Sequence, residues 1–187
     1  MSARQIAVAF ALAGATLFAE PSHADTRAPA RLSIPSLGLF DAPVVALPIQ
    51  GGRWAEERLG AREVGLLETT GRWPGDTWAM VLAGHVTLEG DQRGPFYGLG
   101  SLRPGQILLL YGHDGQPWRY RVVGQRLLTA DAVKAIYRRD GRRLLLMTCA
   151  VWDDAQHDYT HRLVIEAVLE APTGTRNLTH VLQAPRM

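Results

Sequence analysis

Glycine and proline interrupt this chain 19 and 11 times in 187 residues, so that beyond residue 30 most apolar runs stay below ten residues. Runs that short suit strands better than helices, which need about 10–12 residues to present a buried face. Eight segments read as strands: Arg31–Ile34, Pro43–Ile49, Glu63–Glu68, Trp78–His85, Gln106–Tyr111, Trp118–Leu128, Arg143–Cys149 and Arg162–Leu169. Some alternate cleanly. Trp118, Tyr120 and Val122 share one face opposite Arg119 and Arg121, the period of a half-buried strand. Asp114-Gly115, between two such runs, is a hairpin signal. Helical pattern is sparse. Gly94–Leu102 has room for one turn, and Ala130–Arg138 is the best helix, with Thr129 or Asp131 as its cap. There Val133, Ile136 and Tyr137 fall at i, i+3 and i+4. The expectation is an all-β fold: a closed or nearly closed eight-stranded barrel with one or two short helices.

The one longer apolar run stands apart from that pattern. Ile6 to Ala19 is 14 residues, all apolar or small, preceded by Arg4 and followed by Ser22-His23-Ala24. A charged start, a short apolar stretch and a small-x-small site read as a signal peptide ending after Ala24, or as an N-terminal membrane anchor. As a helix the run reaches roughly 21 Å, short of the roughly 30 Å hydrocarbon core, which favours removal over spanning. The expected organisation is therefore a signal or anchor at 1–24, a linker at 25–30, one domain at 31–170 and a tail at 171–187. The domain is expected to work outside the cytoplasm. A net charge of +2, with scattered arginines and Lys134 as the only lysine, leaves no basic stripe for nucleic acid. Cys149 is the one cysteine, which excludes an intrachain disulfide and a cysteine-cluster metal site. In an oxidising compartment such a thiol must be either buried or used.

Three residues sit where chemistry is to be expected. His85 follows Gly84 at the end of one apolar run, Cys149 ends another, and Arg162 begins a third. Antiparallel pairing of the last two strands through the loop Ala150–His161 would bring Cys149 beside Arg162 at one rim of the barrel. A thiolate is the attacking species and a nearby cation favours it. A histidine can protonate a leaving amine, and a guanidinium can steady an oxyanion. Composition and spacing leave the bland reading open, in which Cys149 is a buried small hydrophobe, His85 is structural and Arg162 is solvated.

Ala83-Gly84-His85, Thr148-Cys149 and Arg162, thirteen positions beyond the cysteine, resemble the signature of the sortases, the cell-surface cysteine transpeptidases. The family's cysteine motif is usually T-L-x-T-C. In Leu145-Leu146-Met147-Thr148-Cys149 the second Leu, the Thr and the Cys are kept, and Leu145 replaces the first Thr. Gly94-Pro95-Phe96, Leu102-x-x-Gly105, Tyr120-x-Val122, Ser33-Ile34-Pro35 and Ala42-Pro43-Val44 also resemble the family, so the likeness runs from about Arg31 to Glu170.

The resemblance implies a sortase β-barrel with His85, Cys149 and Arg162 as catalytic residues and Thr148 at the substrate site. It also implies a partner protein with a C-terminal LPXTG-type motif and an amine acceptor, either a cell-wall precursor or another protein. The single-domain architecture looks closer to the class D, E and F groups than to pilin polymerases. No cofactor is required by the chemistry; some members use Ca²⁺, and no residue set here picks out a site. In sortases the connection corresponding to Leu128–Arg143 walls the groove for the residues before the scissile bond. Val133 and Ile136 are accordingly expected to form part of the pocket for the motif's first residue; the alternative is that this stripe docks the helix on the barrel.

Other features weigh less. His157 and His161 are four apart, but no helical preference or third ligand accompanies them. Asp153 and Asp154 read as solvated loop residues, with substrate or metal contact the alternative, and Asn177-Leu178-Thr179 is a bare glycosylation sequon. Trp54, Trp73 and Trp78 lie in separate segments and read as packing. Two rival functions stand beside the transpeptidase. One is an L,D-transpeptidase-like cysteine enzyme, whose usual Ser-His-Gly-Cys context Met147-Thr148-Cys149 lacks. The other is a secreted β-barrel binding module with an inert thiol.

Overall fold

The computed structural model describes residues 28–171. The expected signal segment 1–24, the first half of the linker (25–27), the sequon at Asn177 and nearly all of the tail lie outside the described residues. Ten strands follow in chain order: β1 (Pro29–Ile34), β2 (Leu39–Leu47), β3 (Ile49–Gln50), β4 (Arg53–Trp54), β5 (Val64–Leu67), β6 (Met80–Ala83), β7 (Ile107–Gly112), β8 (Pro117–Thr129), β9 (Arg143–Asp153) and β10 (Asp158–Leu169). Eight close into a barrel in the order β1-β2-β5-β6-β9-β10-β8-β7, and β3 with β4 forms a small separate hairpin. Neighbours run antiparallel except β2–β5 and β6–β9. All eight expected strands are present.

Strand alternation divides the apolar residues into two clusters. Leu144 and Leu146 of β9 face inward with Leu108, Leu110, Tyr120, Ile165 and Ala167. Leu145 and Met147 face outward and join Val81, Ala83 and Val164, covered by Leu47, Leu59 and Ile136. β9 is therefore apolar on both faces, which explains its unbroken Leu-Leu-Leu-Met run. β8 shows the contrasting case: Tyr120 and Val122 are buried, while Arg119 and Arg121 are exposed. Each fully buried Leu or Met contributes about 1.5–3 kcal/mol.

Several boundaries differ from expectation; β6 is Met80–Ala83 rather than Trp78–His85, so that His85 lies two residues beyond its end. β1 starts at Pro29, inside the expected linker. β2 runs Leu39–Leu47 rather than Pro43–Ile49. β5 joins β2 only from Val44, so Pro43 falls where β2 has a single partner and its missing N–H is tolerated.

The segment expected as a helix over Ala130–Arg138 is a 3₁₀ helix, Ala130–Ile136. Seven residues are too few to sustain an α-helix unaided, and the Thr129 side chain makes no cap bond. Instead the Thr129 side chain, with the backbone of Asp131 and Ala132, holds the Asp131 carboxyl below its usual range. The Arg126 guanidinium ties the segment down by donating to Ala135 O at 3.1 Å.

Finally, the expected loop Ala150–His161 is mostly strand. The β9–β10 ladder continues through Trp152↔Tyr159 and Asp153↔Asp158. Trp152 and Tyr159 pack edge to face at 5.1 Å across the ladder. The Asp153 carboxylate closes the turn by accepting from the N–H groups of Ala155 and Gln156.

Candidate active site

Cys149 and Arg162 are paired residues in the β9–β10 ladder, so the strand pairing expected from sequence brings them together, in mid-ladder rather than at strand ends. Cys149 lies two residues beyond Met147, and Arg162 two before Val164, so both belong to the outward face that carries the second cluster. β6 runs parallel to β9 with Ala83 opposite Met147. Continuing that register puts His85 level with Cys149. Two hydrogen bonds stitch the end of β6 to β9 beside the thiol: Gly84 N–H donates to Met147 O at 3.1 Å, and the Thr148 hydroxyl donates to Gly84 O at 2.7 Å. Thr148 is buried, and its hydroxyl is thus committed to holding the backbone that carries His85.

Glycines make that backbone path feasible. A Cβ on Gly84 would lie 2.8 Å from the ring of Phe96, which is fully buried. A Cβ on Gly94 would lie 2.2 Å from His85 O and 2.9 Å from His85 Cβ. Phe96 N–H donates to His85 O, and Gly94 N–H donates to Val86 O, both at 3.0 Å. The Gly94-Pro95-Phe96 segment therefore buttresses the histidine from behind. This gives the motif a physical role that its sequence alone did not reveal.

His85, Cys149, Arg162 and Thr148 line one cavity with Glu56, Leu59, Ala83, Gly84 and Met147. Its volume of about 20 Å³ has room for about one water-sized group. The Arg162 guanidinium is half-buried and fixed by donating from one nitrogen to Tyr159 O at 3.1 Å and His161 O at 3.0 Å. Burial pushes the Cys149 thiol above its ordinary pKa; Arg162 opposes that shift, while Glu56 and Asp158 add to it. The thiol therefore rests protonated at neutral pH, and nucleophilic attack requires it to lose its proton.

The structure does not bring Val133 and Ile136 to this cavity. Ile136 is fully buried in the outer cluster, and Val133 packs against the same cluster, so the helical stripe docks the β8–β9 connection. Asp153 and Asp154 are engaged locally; Asp154 accepts from Trp152 Nε1 at 2.9 Å. His157 sits in the β9–β10 turn with φ 50°, and His161 lies on β10 with Nδ1 2.8 Å from Thr160 Oγ1. Val151, two residues past the thiol, has φ 59°, a strained value for a β-branched residue. Its carbonyl accepts the Thr160 hydroxyl at 3.1 Å. Among the described residues no group of three or more His, Cys, Asp or Glu side chains is arranged to hold a metal ion. Glu56, Leu59 and Asp158 were not legible as site residues, because they reach the thiol's surroundings only through the chain path of β4–β5 and the extended β10.

A sortase-domain family model matches residues 32–170. No curated protein matches the sequence. Among solved structures, sortase C-1 from Actinomyces oris is similar at a TM-score of 0.60 and 23% identity, over 76% of this chain and 73% of that one. Sortase C1 from Streptococcus agalactiae gives 0.61 and 22%, over 81% and 72%. A lid mutant of sortase A from Corynebacterium diphtheriae gives 0.59 and 20%, over 81% and 75%. At these identities the structural likenesses speak to the fold.

Proposed function

The chain belongs to the sortase family of cysteine transpeptidases, and we propose that it cleaves an LPXTG-type C-terminal motif and joins the acyl group to an amine at the cell surface. Cys149 is the nucleophile. Its proton passes to His85, which lines the same cavity, and the sulfur attacks the carbonyl preceding the scissile bond, giving a tetrahedral oxyanion. The Arg162 guanidinium, held by two backbone carbonyls, donates to that oxygen. His85 protonates the departing amine, and a thioester on Cys149 remains. A second amine attacks the thioester, the C–N bond replaces the C–S bond, and the thiol is regenerated.

The observation that supports this reading most is the Cys149–Arg162 register pair on the outward face, with His85 in the same cavity. Thr148 serves the site through its bond to Gly84 O. Val133 and Ile136, in our reading, seat the β8–β9 connection and do not touch the substrate. Location outside the cytoplasm, with residues 1–24 as signal or residues 6–19 as anchor, is part of the proposal and rests on the sequence pattern alone. So does placement nearer to the class D, E and F groups; the solved structures named above are class C and class A enzymes. The amine comes from a cell-wall precursor or another protein. The family match does not favour an L,D-transpeptidase or an inert binding module.

The test is Cys149→Ala against a fluorogenic LPXTG-type peptide. The variant should fold as the wild type does and show no turnover, because the chain holds no other cysteine. Cleavage at wild-type rate by the folded variant would end the proposal.

A further inference from the structure

Glu56 is the one acidic side chain lining the cavity that holds Cys149, His85 and Arg162. The chain seats it there firmly. Ala55 and Leu59, on either side of the 3₁₀ turn Glu56–Arg58, are buried, and Leu59 belongs to the outer cluster. Ala55 N–H donates to Pro48 O and Leu59 N–H to Glu56 O, both at 3.0 Å. Glu57 and Arg58 of the same turn are exposed and do not line the cavity, whereas Glu56 is half-buried in its wall. Among the described residues no hydrogen bond or ion pair engages the Glu56 carboxylate. It therefore does little for the fold, and a negative charge beside the thiol disfavours the thiolate that the first half-reaction needs. A charge that hinders acylation is understandable where the second half-reaction gains from it. The acceptor of that step is an amine, which is largely protonated at neutral pH.

We propose that Glu56 is the docking carboxylate for the acceptor, holding an incoming primary ammonium against the Cys149 thioester. The assignment rests on the transpeptidase reading above. The docked ammonium sheds one proton to water, and its nitrogen attacks the thioester carbonyl. The C–N bond forms as the C–S bond breaks, the sulfur leaves with the electron pair, and the second N–H proton reaches that sulfur by way of His85. The acceptor class selected is a compact cationic amine. An N-terminal glycine and a lysine side chain are both of that chemistry.

The experiment measures the ratio of transfer product to hydrolysis product from an LPXTG-type peptide, for wild type, Glu56→Gln and Glu57→Gln. Three acceptors are compared at neutral pH: triglycine, Nα-acetyl-lysinamide, and hydroxylamine, which is largely uncharged there. Glu56→Gln should lower the ratio by about three- to fivefold for a cationic acceptor, the scale of a partly exposed ion pair. It should leave the ratio for hydroxylamine as in wild type. Glu57→Gln, which removes the same charge from outside the cavity, should change neither. Whichever cationic amine shows the drop identifies the acceptor as an α-amine or a side-chain amine. An equal change for charged and uncharged amines, or no change for any, would overturn the role of Glu56 alone. Failure of the wild type to form a thioester on Cys149 would overturn the transpeptidase reading and this inference with it.

Discussion

Gly94 offers the sharpest perturbation of the site that touches none of its reactive groups. A Cβ there would sit 2.2 Å from His85 O and 2.6 Å from its carbonyl carbon. Both are backbone atoms, so no rotamer change relieves the clash. Reaching ordinary contact at 3.4 Å requires the His85 and Gly94 segments to part by about 1.2 Å. That shift also strains Phe96 N–H to His85 O and Gly94 N–H to Val86 O. Overpacking of this kind typically costs about 1–3 kcal/mol of stability, which a domain with two apolar clusters should survive. The loss in catalysis should be larger, because displacing a reacting group by about 1 Å costs on the order of 10²-fold in rate. The assay is kcat/KM for cleavage of an LPXTG-type peptide, with thermal unfolding alongside. Gly98→Ala is the control: a Cβ there meets only Leu37 Cδ2, at 3.4 Å, and should leave the rate near wild type. A folded Gly94→Ala enzyme within about threefold of wild type would refute the argument that this glycine sets the position of His85.

Other residues carry further expectations. Arg162→Lys keeps the charge but loses the planar guanidinium, whose one nitrogen is anchored on Tyr159 O and His161 O while its other N–H groups stay free to donate, so peptide cleavage should fall by about 10²–10³; near-normal kinetics would show that the guanidinium only packs. Ile136→Ala empties a fully buried site in the outer cluster and should cost about 2–5 kcal/mol in denaturant unfolding. The ranking of peptides varied at the motif's first residue should stay unchanged, and a reversed ranking at full stability would contradict a packing role. Burial holds the Cys149 thiol above its ordinary pKa, and only the thiolate reacts. Alkylation by iodoacetamide should therefore climb about tenfold per pH unit from about pH 6 to about pH 8. A plateau inside that window would mean that Arg162 outweighs burial.

What the sequence made legible follows from how local each signal is. Strand existence depends on short apolar runs and their period, and all eight barrel strands could be read that way, down to the Asp114-Gly115 hairpin, where Gly115 has φ 77°. The Cys149–Arg162 pairing was readable because a hairpin fixes which residues face each other. Strand ends were not. The β9–β10 ladder runs on to Asp153 and Asp158, where Trp152 and Tyr159 pack edge to face across it, a contact between residues that each stand beside polar turn-formers in the sequence. The stripe of Val133 and Ile136 shows a different gap. Periodicity says that one face is apolar, but only the fold says that β9 and β10 cover it. Glu56 was invisible for a third reason: it reaches the thiol by way of the β3–β4 hairpin and the parallel β2–β5 crossover. No spacing rule links residues 56 and 149.

In the proposed mechanism Cys149 carries the acyl group between two amines. Mass spectrometry of the intact protein, mixed with an LPXTG-type peptide and quenched in acid before turnover is complete, tests it most directly. The expected species is an adduct equal to the N-terminal half of the peptide, mapped to the tryptic fragment containing Cys149. Adding triglycine should discharge it into a new peptide bond. Peptide cleavage with no adduct on Cys149, or an unmodified thiol beside intact peptide, would rule this mechanism out.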